Sequence, residues 1–101
     1  MLYQVIHSHT NADCPAQSAE KAKLSREWWQ SLKKTNGVRV VGGYVSPLDH
    51  TFYITVEADD YLTLSKAMGS LLSLGTGHVV PILTLDETFP MVEAGAFRAS
   101  K

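Results

Sequence analysis

The chain has 101 residues, 45% of them hydrophobic, and its nine Lys and Arg against ten Asp and Glu leave a net charge of −1. This length and apolar content predict one globular domain with a single core, and the charge balance argues against a nucleic-acid partner. No apolar run is long enough to cross a bilayer, no signal peptide precedes the first predicted strand and a single cysteine allows no internal disulfide, so we expect a cytoplasmic protein without a membrane partner.

Strand-like and amphipathic segments alternate along the chain. The β-rich runs lie at Leu2–His9, Val38–Val45, Thr51–Glu57 and His78–Leu85, and the amphipathic stretches lie at Pro15–Thr35 and Tyr61–Leu74. The order strand, helix, strand, strand, helix, strand is that of the split βαβ unit of ferredoxin-like domains. We therefore predict an α+β fold over residues 1–88, with two helices on one face of a four-stranded antiparallel sheet, and a C-terminal tail over residues 89–101.

Residues typical of helix termini predict where the helices begin and end. Pro15 suits the first position of the first helix because it loses no hydrogen bond there, and Gly37 suits the left-handed residue that ends this helix. The carboxylate of Asp60 suits the positive end of the second helix dipole. The apolar stripes of the first helix predict that one of Trp28 and Trp29 is buried deeply and the other lies at the edge of the buried face.

The face of the sheet away from the helices is predicted to be partly apolar. In the third strand Phe52, Ile54 and Val56 alternate with residues that face the other way, and we expect these three beneath the helices. Because Tyr44 and Tyr53 make the outer face too apolar for full exposure, we expect a homodimer or a higher oligomer in which two sheets pair into a shared barrel. The alternative is an ordinary half-polar open sheet, which needs no partner.

Several short motifs carry a resemblance to a known superfamily. They are Met1-Leu2-Tyr3-x-Val5, Gly43-Tyr44, Tyr53-Ile54-Thr55-Val56-Glu57 and Val79-Val80-Pro81-Ile82. With them, residues 1 to about 88 resemble the dimeric α+β-barrel superfamily, and in length and layout its muconolactone-isomerase-like and small uncharacterised members. The resemblance implies a dimer or higher assembly with a ligand cavity between sheet and helices or between subunits. Because the superfamily includes cofactor-free monooxygenases, lactone isomerases and haem enzymes, the resemblance implies no single reaction.

The histidines are the main chemical feature. His7 and His9 are two residues apart on one strand, so their side chains project from the same face. We expect the first strand to lie between the third and an antiparallel fourth, which brings His78 to the same end of the sheet. We expect the third strand to run parallel to the first, so that Glu57 reaches this end too, although alternation makes it face the other way. His7, His9 and His78 are candidate catalytic residues, and with Glu57 they are candidate ligands for Zn, Fe, Ni or Cu; the cofactor is otherwise unknown.

The histidines and the cysteine also have structural interpretations. His7 and His9 are candidates for ordinary hydrogen-bonded residues at a sheet edge, and His50, which lies in a turn, is interpreted as a solvated loop residue. Cys14 precedes a predicted helix start, a position that favours a thiolate nucleophile. A single unpaired cysteine also fits a purely structural role.

Three functions remain open. The first is small-molecule binding or cofactor-independent catalysis, isomerase- or monooxygenase-like, in a cavity lined by the histidines with Tyr44 and Tyr53 as ligand-binding residues. The second is metal binding by His7, His9 and His78. The third is a non-catalytic assembly module, in which the tyrosines pack as ordinary aromatic residues. The expected partners are a second copy of the chain and a small molecule.

Overall fold

The computed structural model describes residues 1–72 and 75–99 and confirms the α+β architecture. Strands β1 to β4 span Leu2–Ser8, Val38–Ser46, Thr51–Ala58 and Thr76–Ile82, and helices α1 to α3 span Ala19–Lys33, Tyr61–Leu72 and Leu85–Glu93. Single 3₁₀ turns, Pro15–Gln17 and Pro47–Asp49, precede α1 and β3. The last two residues of the second predicted helix lie outside the described residues, and the last strand begins and ends earlier in the chain than predicted.

The four strands form one antiparallel sheet in the order β2-β3-β1-β4. The predicted place of β1, between β3 and β4, is therefore right, but the expected parallel pairing of β1 with β3 is wrong, since Leu2 pairs with Glu57 and Ser8 with Thr51. The reason lies in the connections. The crossover through α1 makes β2 run in the direction of β1, and the short turn after β2 then reverses β3.

The core lies between the sheet and the helices. On the covered face, Tyr3, Val5 and His7 of β1 stand opposite Val56, Ile54 and Phe52 of β3, which agrees with the alternation predicted for the third strand. Helix α2 contributes Leu64 and Met68, both fully buried, whereas Leu32 is the buried residue of α1. Helix α1 therefore packs closely on the sheet only near its C-terminal end.

The tryptophans of α1 reflect this loose packing. Trp28 and Trp29 are both half-buried, so the prediction that one of them is buried deeply is wrong. Leu24, one turn earlier, leaves 57% of its surface exposed. The N-terminal half of α1 thus stands away from the sheet, and a space remains beneath it.

The helix ends follow from their capping residues. Helix α1 begins at Ala19 and not at Pro15, because the Ser18 hydroxyl accepts a hydrogen bond from the backbone N–H of Lys21 at 3.1 Å and caps the helix there. The predicted start of α2 is confirmed, since Asp60 Oδ1 accepts a hydrogen bond from Thr63 N at 2.7 Å. After α1, Gly37 has a φ of 81°, the left-handed conformation expected at this position.

Two surfaces leave large apolar side chains exposed. On the open face of the sheet Tyr44 pairs with Tyr53, and the two are 71% and 37% exposed. Helix α3 and the residues around it expose Leu83, Leu85, Phe89, Met91, Val92 and Phe97. None of the described helices combines the length and the hydropathy required to span a bilayer.

Candidate functional site

A cleft separates the N-terminal half of α1 from the covered face of the sheet. It consists of two adjoining cavities of about 420 and 610 Å³, both of which are lined by Pro15, Ser25, Trp28 and Phe52. The smaller cavity also has apolar walls from Leu24 and Leu71 and a polar end formed by His7, His9, Asp13 and Lys21. Such a mainly apolar cleft with a few grouped polar side chains has the form of a small-molecule site.

His7 and His9 lie side by side at the polar end, as their two-residue spacing predicts. Their ring centroids are 5.9 Å apart, and the His7 side chain is almost completely buried. The ring of Phe52 stacks on His7 with centroids 6.0 Å apart and also contacts His9 at 5.4 Å. The aromatic floor therefore fixes both imidazoles against the sheet.

The surroundings of His9 favour its neutral form. Burial lowers the pKa of His9 below its ordinary value of 6.5, and the neighbouring imidazoles of His7 and His50 lower this pKa further, against an opposite effect of the Asp13 carboxylate. The three influences that lower the pKa prevail. His9 is thus a neutral imidazole at pH 7, able to accept a proton or a hydrogen bond.

His50 joins this group from the β2–β3 turn. One ligand atom from each of His9, Cys14 and His50 lies within 4.8 Å of the other two. The His9 and His50 rings meet edge to face, with centroids 5.4 Å apart, and the backbone N–H of His9 donates to the carbonyl of His50 at 3.1 Å. The interpretation of His50 as a solvated loop residue is therefore wrong.

Hydrogen bonds hold the β2–β3 turn against the end of β1. Thr51 is 3% exposed, and its hydroxyl donates to the carbonyl of Asp49 at 2.9 Å. The same hydroxyl lies 2.9 Å from the Ser8 hydroxyl. Because His50 stands between Asp49 and Thr51 in a left-handed conformation with φ of 50°, its ring turns back towards His9.

Cys14 is placed by the turn that follows β1. Its backbone N–H donates to the carbonyl of Asn11 at 3.3 Å, and its own carbonyl accepts from Gln17 N at 3.0 Å. The Lys21 ammonium donates to the carbonyl of Ala12 and ties this turn to α1. The half-buried Cys14 thiol is thereby held beside the two imidazoles.

Two imidazole nitrogens of the cluster are buried without a hydrogen bond to any described residue. Nε2 of His9 and Nδ1 of His50 are buried and have no hydrogen-bond partner among the described residues. Buried polar atoms are nearly always satisfied in folded proteins. The missing hydrogen bonds of these two nitrogens therefore point to a functional role or to a bound ligand or ion.

The remaining predicted site residues lie elsewhere. His78 pairs with Ile6, so its side chain stands on the open face, opposite to His7. Glu57 pairs with Leu2 at the far end of the sheet and forms an ion pair at 3.3 Å with the Met1 amino group. The antiparallel β4 does bring His78 to the predicted end of the sheet, next to the partner of His7, but alternation puts its side chain on the other face. The predicted convergence of Glu57 with the histidines is wrong, because antiparallel pairing of β1 and β3 puts Glu57 at the other end.

Tyr44 and Tyr53 lie apart from the imidazoles as well. Both stand on the open face of the sheet, directly opposite each other on β2 and β3, although Tyr44 at the sheet edge also contributes to the wall of the larger cavity. A single cavity lined by the three predicted histidines and both tyrosines is therefore not formed within one chain.

Comparison with known proteins identifies the family. The model for a domain of unknown function, DUF3303, matches residues 1–96. The chain belongs to the DUF3303 family. No curated protein sequence matches this DUF3303 chain. A solved structure described as a "putative transposase" from Deinococcus radiodurans R1 is similar over 99% of this chain and 92% of that chain, with 10% sequence identity and a TM-score of 0.49, a likeness too distant to indicate an activity.

Proposed function

We propose that this DUF3303 protein binds a small, mainly apolar molecule in the cleft between α1 and the sheet. The observation that carries the proposal is the cavity of about 420 Å³ whose apolar walls end at His7 and His9. Its volume lies in the range of roughly 300–1,000 Å³ typical of ligand pockets. A ligand would pack its apolar part on Trp28 and Phe52 and present a polar group to the imidazoles.

The polar end also supports proton transfer. While it binds no metal ion, a neutral His9 imidazole is a proton acceptor, and the buried ring of His7 lies beside it. General acid–base catalysis requires a positioned group of this kind within hydrogen-bond reach of the reacting atom. Catalysis without a cofactor, such as an isomerisation by proton transfer, is the reaction class that fits these two residues.

Filling the cleft tests the proposal. Ser25 is half-buried and lines both cavities, so Ser25→Phe places a ring inside the cleft. Ser31, exposed on the same helix and outside both cavities, allows Ser31→Phe as the matched control. The probe is 1-anilinonaphthalene-8-sulfonate, whose binding is followed by its own fluorescence and by quenching of Trp28 and Trp29.

We expect the wild-type protein and Ser31→Phe to bind the probe equally, and Ser25→Phe to bind it at least about tenfold more weakly, the equivalent of about 1.4 kcal/mol. Equal binding by all three proteins would contradict the proposal, and so would a wild-type protein that binds no probe. Native mass spectrometry of the purified protein then identifies any small molecule that the cleft retains.

We also propose that the protein is a homodimer. The accessible surface of the chain is 7103 Å², whereas a compact monomer of 11.1 kDa is expected to expose about 5,700 Å². The radius of gyration is 16.3 Å, against about 13 Å for a compact domain of this length. The chain therefore exposes about 1,400 Å² more than expected. If each chain buries this area in a dimer, the interface totals about 2,800 Å², within the size class of obligate interfaces.

The exposed apolar side chains support the same assembly. Tyr44 and Tyr53 lie side by side on the open face of the sheet. Helix α3 presents Leu85, Phe89 and Val92 at helical spacing, each at least 48% exposed. Helix α3 has only nine residues, and a helix this short is not stable in water without packing partners. A second copy of the chain supplies such a partner for both surfaces.

A further inference from the structure

We infer that His9, Cys14 and His50 form a binding site for a Zn²⁺ ion, with one coordination position open towards the cleft. The site shares His9 with the polar end of the cleft, but Cys14 and His50 are not among the residues that line the cleft, and the inference does not require the proposed small molecule. Two of the three residues, Cys14 and His50, had no place in the metal site predicted from the sequence.

The distances fit tetrahedral coordination. Zn–N bonds of about 2.0–2.1 Å and a Zn–S bond of about 2.3 Å place neighbouring ligand atoms roughly 3.5 Å apart. In this protein the three ligand atoms lie within 4.8 Å of one another. The group would therefore have to close by about an ångström to supply three ligands of a tetrahedral site.

The donor chemistry favours a borderline-soft divalent ion. Two imidazoles and one thiolate are ligand types that Zn²⁺ takes in proteins, whereas Mg²⁺ and Ca²⁺ require oxygen ligands. The buried nitrogens Nε2 of His9 and Nδ1 of His50 have no hydrogen-bond partner among the described residues. An ion bound through these nitrogens would supply the partner that they lack among the described residues.

The surrounding structure holds the three residues ready. They come from the end of β1, the following turn and the β2–β3 turn, and the hydrogen bond from His9 N to the carbonyl of His50 already joins two of these segments. Sites with three protein ligands keep a position for water or substrate. Because His9 lines the cleft as well as the cluster, the site adjoins the polar end of the cleft, which is the side that we assign to the open position.

The test measures metal binding directly, on protein made without a polyhistidine tag and stripped with a chelator. Zn²⁺ is titrated against a chromophoric competitor, and Co²⁺ serves as a spectroscopic substitute whose near-ultraviolet charge-transfer band reports a thiolate ligand. We expect one Zn²⁺ per chain, a thiolate–Co²⁺ band, and at least tenfold weaker Zn²⁺ binding in Cys14→Ser and in His50→Asn. Asn tolerates the left-handed backbone at position 50, so this variant keeps the turn.

His78→Asn is the matched control, because His78 lies on the opposite face of the sheet, and we expect it to bind Zn²⁺ as the wild type does. Wild-type protein without stoichiometric Zn²⁺ binding or without the thiolate–Co²⁺ band would overturn the inference. So would unchanged binding in Cys14→Ser, whose fold is checked by circular dichroism. If His50→Asn fails to fold, the Cys14→Ser titration and the wild-type band still decide the outcome. Probe binding in the cleft is measured separately in Ser25→Phe, so the two proposals fail independently.

Discussion

Replacing Phe89 by Glu should dissociate the proposed homodimer. Phe89 lies in the middle of α3 and leaves 53% of its surface exposed in the single chain. If the apolar side of α3 packs against a second copy, this exposed part of the ring is buried in the assembly. A carboxylate at the same position would have to be buried without a partner, or the helix would have to leave the interface.

The size of the effect follows from the exposed area. A Phe side chain buries on the order of 200 Å² when fully covered, so the exposed half contributes about 100 Å², or about 2.5 kcal/mol at 25 cal/mol per Å². A two-fold symmetric interface contains the substitution twice. The loss is therefore about 5 kcal/mol for the dimer, which weakens association by a factor on the order of 10³–10⁴.

The assay is light scattering coupled to size-exclusion chromatography over a range of micromolar concentrations. We expect a dimer mass for the wild type and a monomer mass for Phe89→Glu. Leu48→Glu is the matched control, because Leu48 is 98% exposed in the turn after β2 and belongs neither to α3 nor to the open sheet face. A wild-type monomer at every concentration would refute the dimer, and a dimeric Phe89→Glu would refute the part assigned to α3.

Three further predictions concern stability. Leu64→Ala should lower the free energy of unfolding by about 2–5 kcal/mol, since Leu64 is fully buried between α2 and the sheet; a loss below about 0.5 kcal/mol in urea titration would mean that this helix face is not in the core. Gly43→Ala should cost about 1–3 kcal/mol in the same titration, because its Cβ would overlap the Trp29 ring, and an unchanged midpoint would contradict that contact. The pKa of Asp60 lies below 3.8 because Asp60 accepts hydrogen bonds from Thr63, so its contribution to stability is complete above that pH and is lost as the pH falls through the folded-state pKa. Asp60→Asn keeps the cap without titrating and should flatten thermal stability against pH below about 4; an unchanged slope would contradict this assignment.

The order of elements could be predicted from the sequence because it depends on local patterns. Each of these patterns involves only a few neighbouring residues. Examples are the alternation in Thr51–Ala58, the helix cap at Asp60 and the left-handed conformation of Gly37. The direction of β3 relative to β1 is a property of the connections, and it follows only when the crossover and the short turn are taken together. The half-exposure of Trp28 and Trp29 depends on how far α1 stands from the sheet, which its own apolar stripes do not determine.

In the candidate site, too, the features set by local spacing could be predicted from the sequence, and those set by turns could not. The pairing of His7 with His9 follows from a spacing of two residues on one strand, and the structure places both at the end of the cleft. The contributions of His50 and Cys14 depend on turns outside the strands, which alternation does not describe. One signal was available, since antiparallel pairing of β1 with β3 brings the residue before Thr51 next to the residue after Ser8.

That register explains why the imidazoles meet at this end of the sheet. Ser8 and Thr51 are the last pair of the β1–β3 ladder, so His9 and His50 are the first residues beyond it on either side. Beyond the last pair of the ladder, the two residues do not have to keep the extended backbone of a strand. The left-handed conformation of His50 lets its ring turn to the covered face, where the cleft begins. The cleft begins where α1 starts late, at Ala19 with Ser18 as its cap, so that Asp13 and Pro15 of the preceding turn line the cavity and Cys14 lies between them. The open space and the three donor side chains therefore arise from the same feature of the chain, the late start of α1, and a substitution such as Ser18→Ala that weakens this start should perturb both.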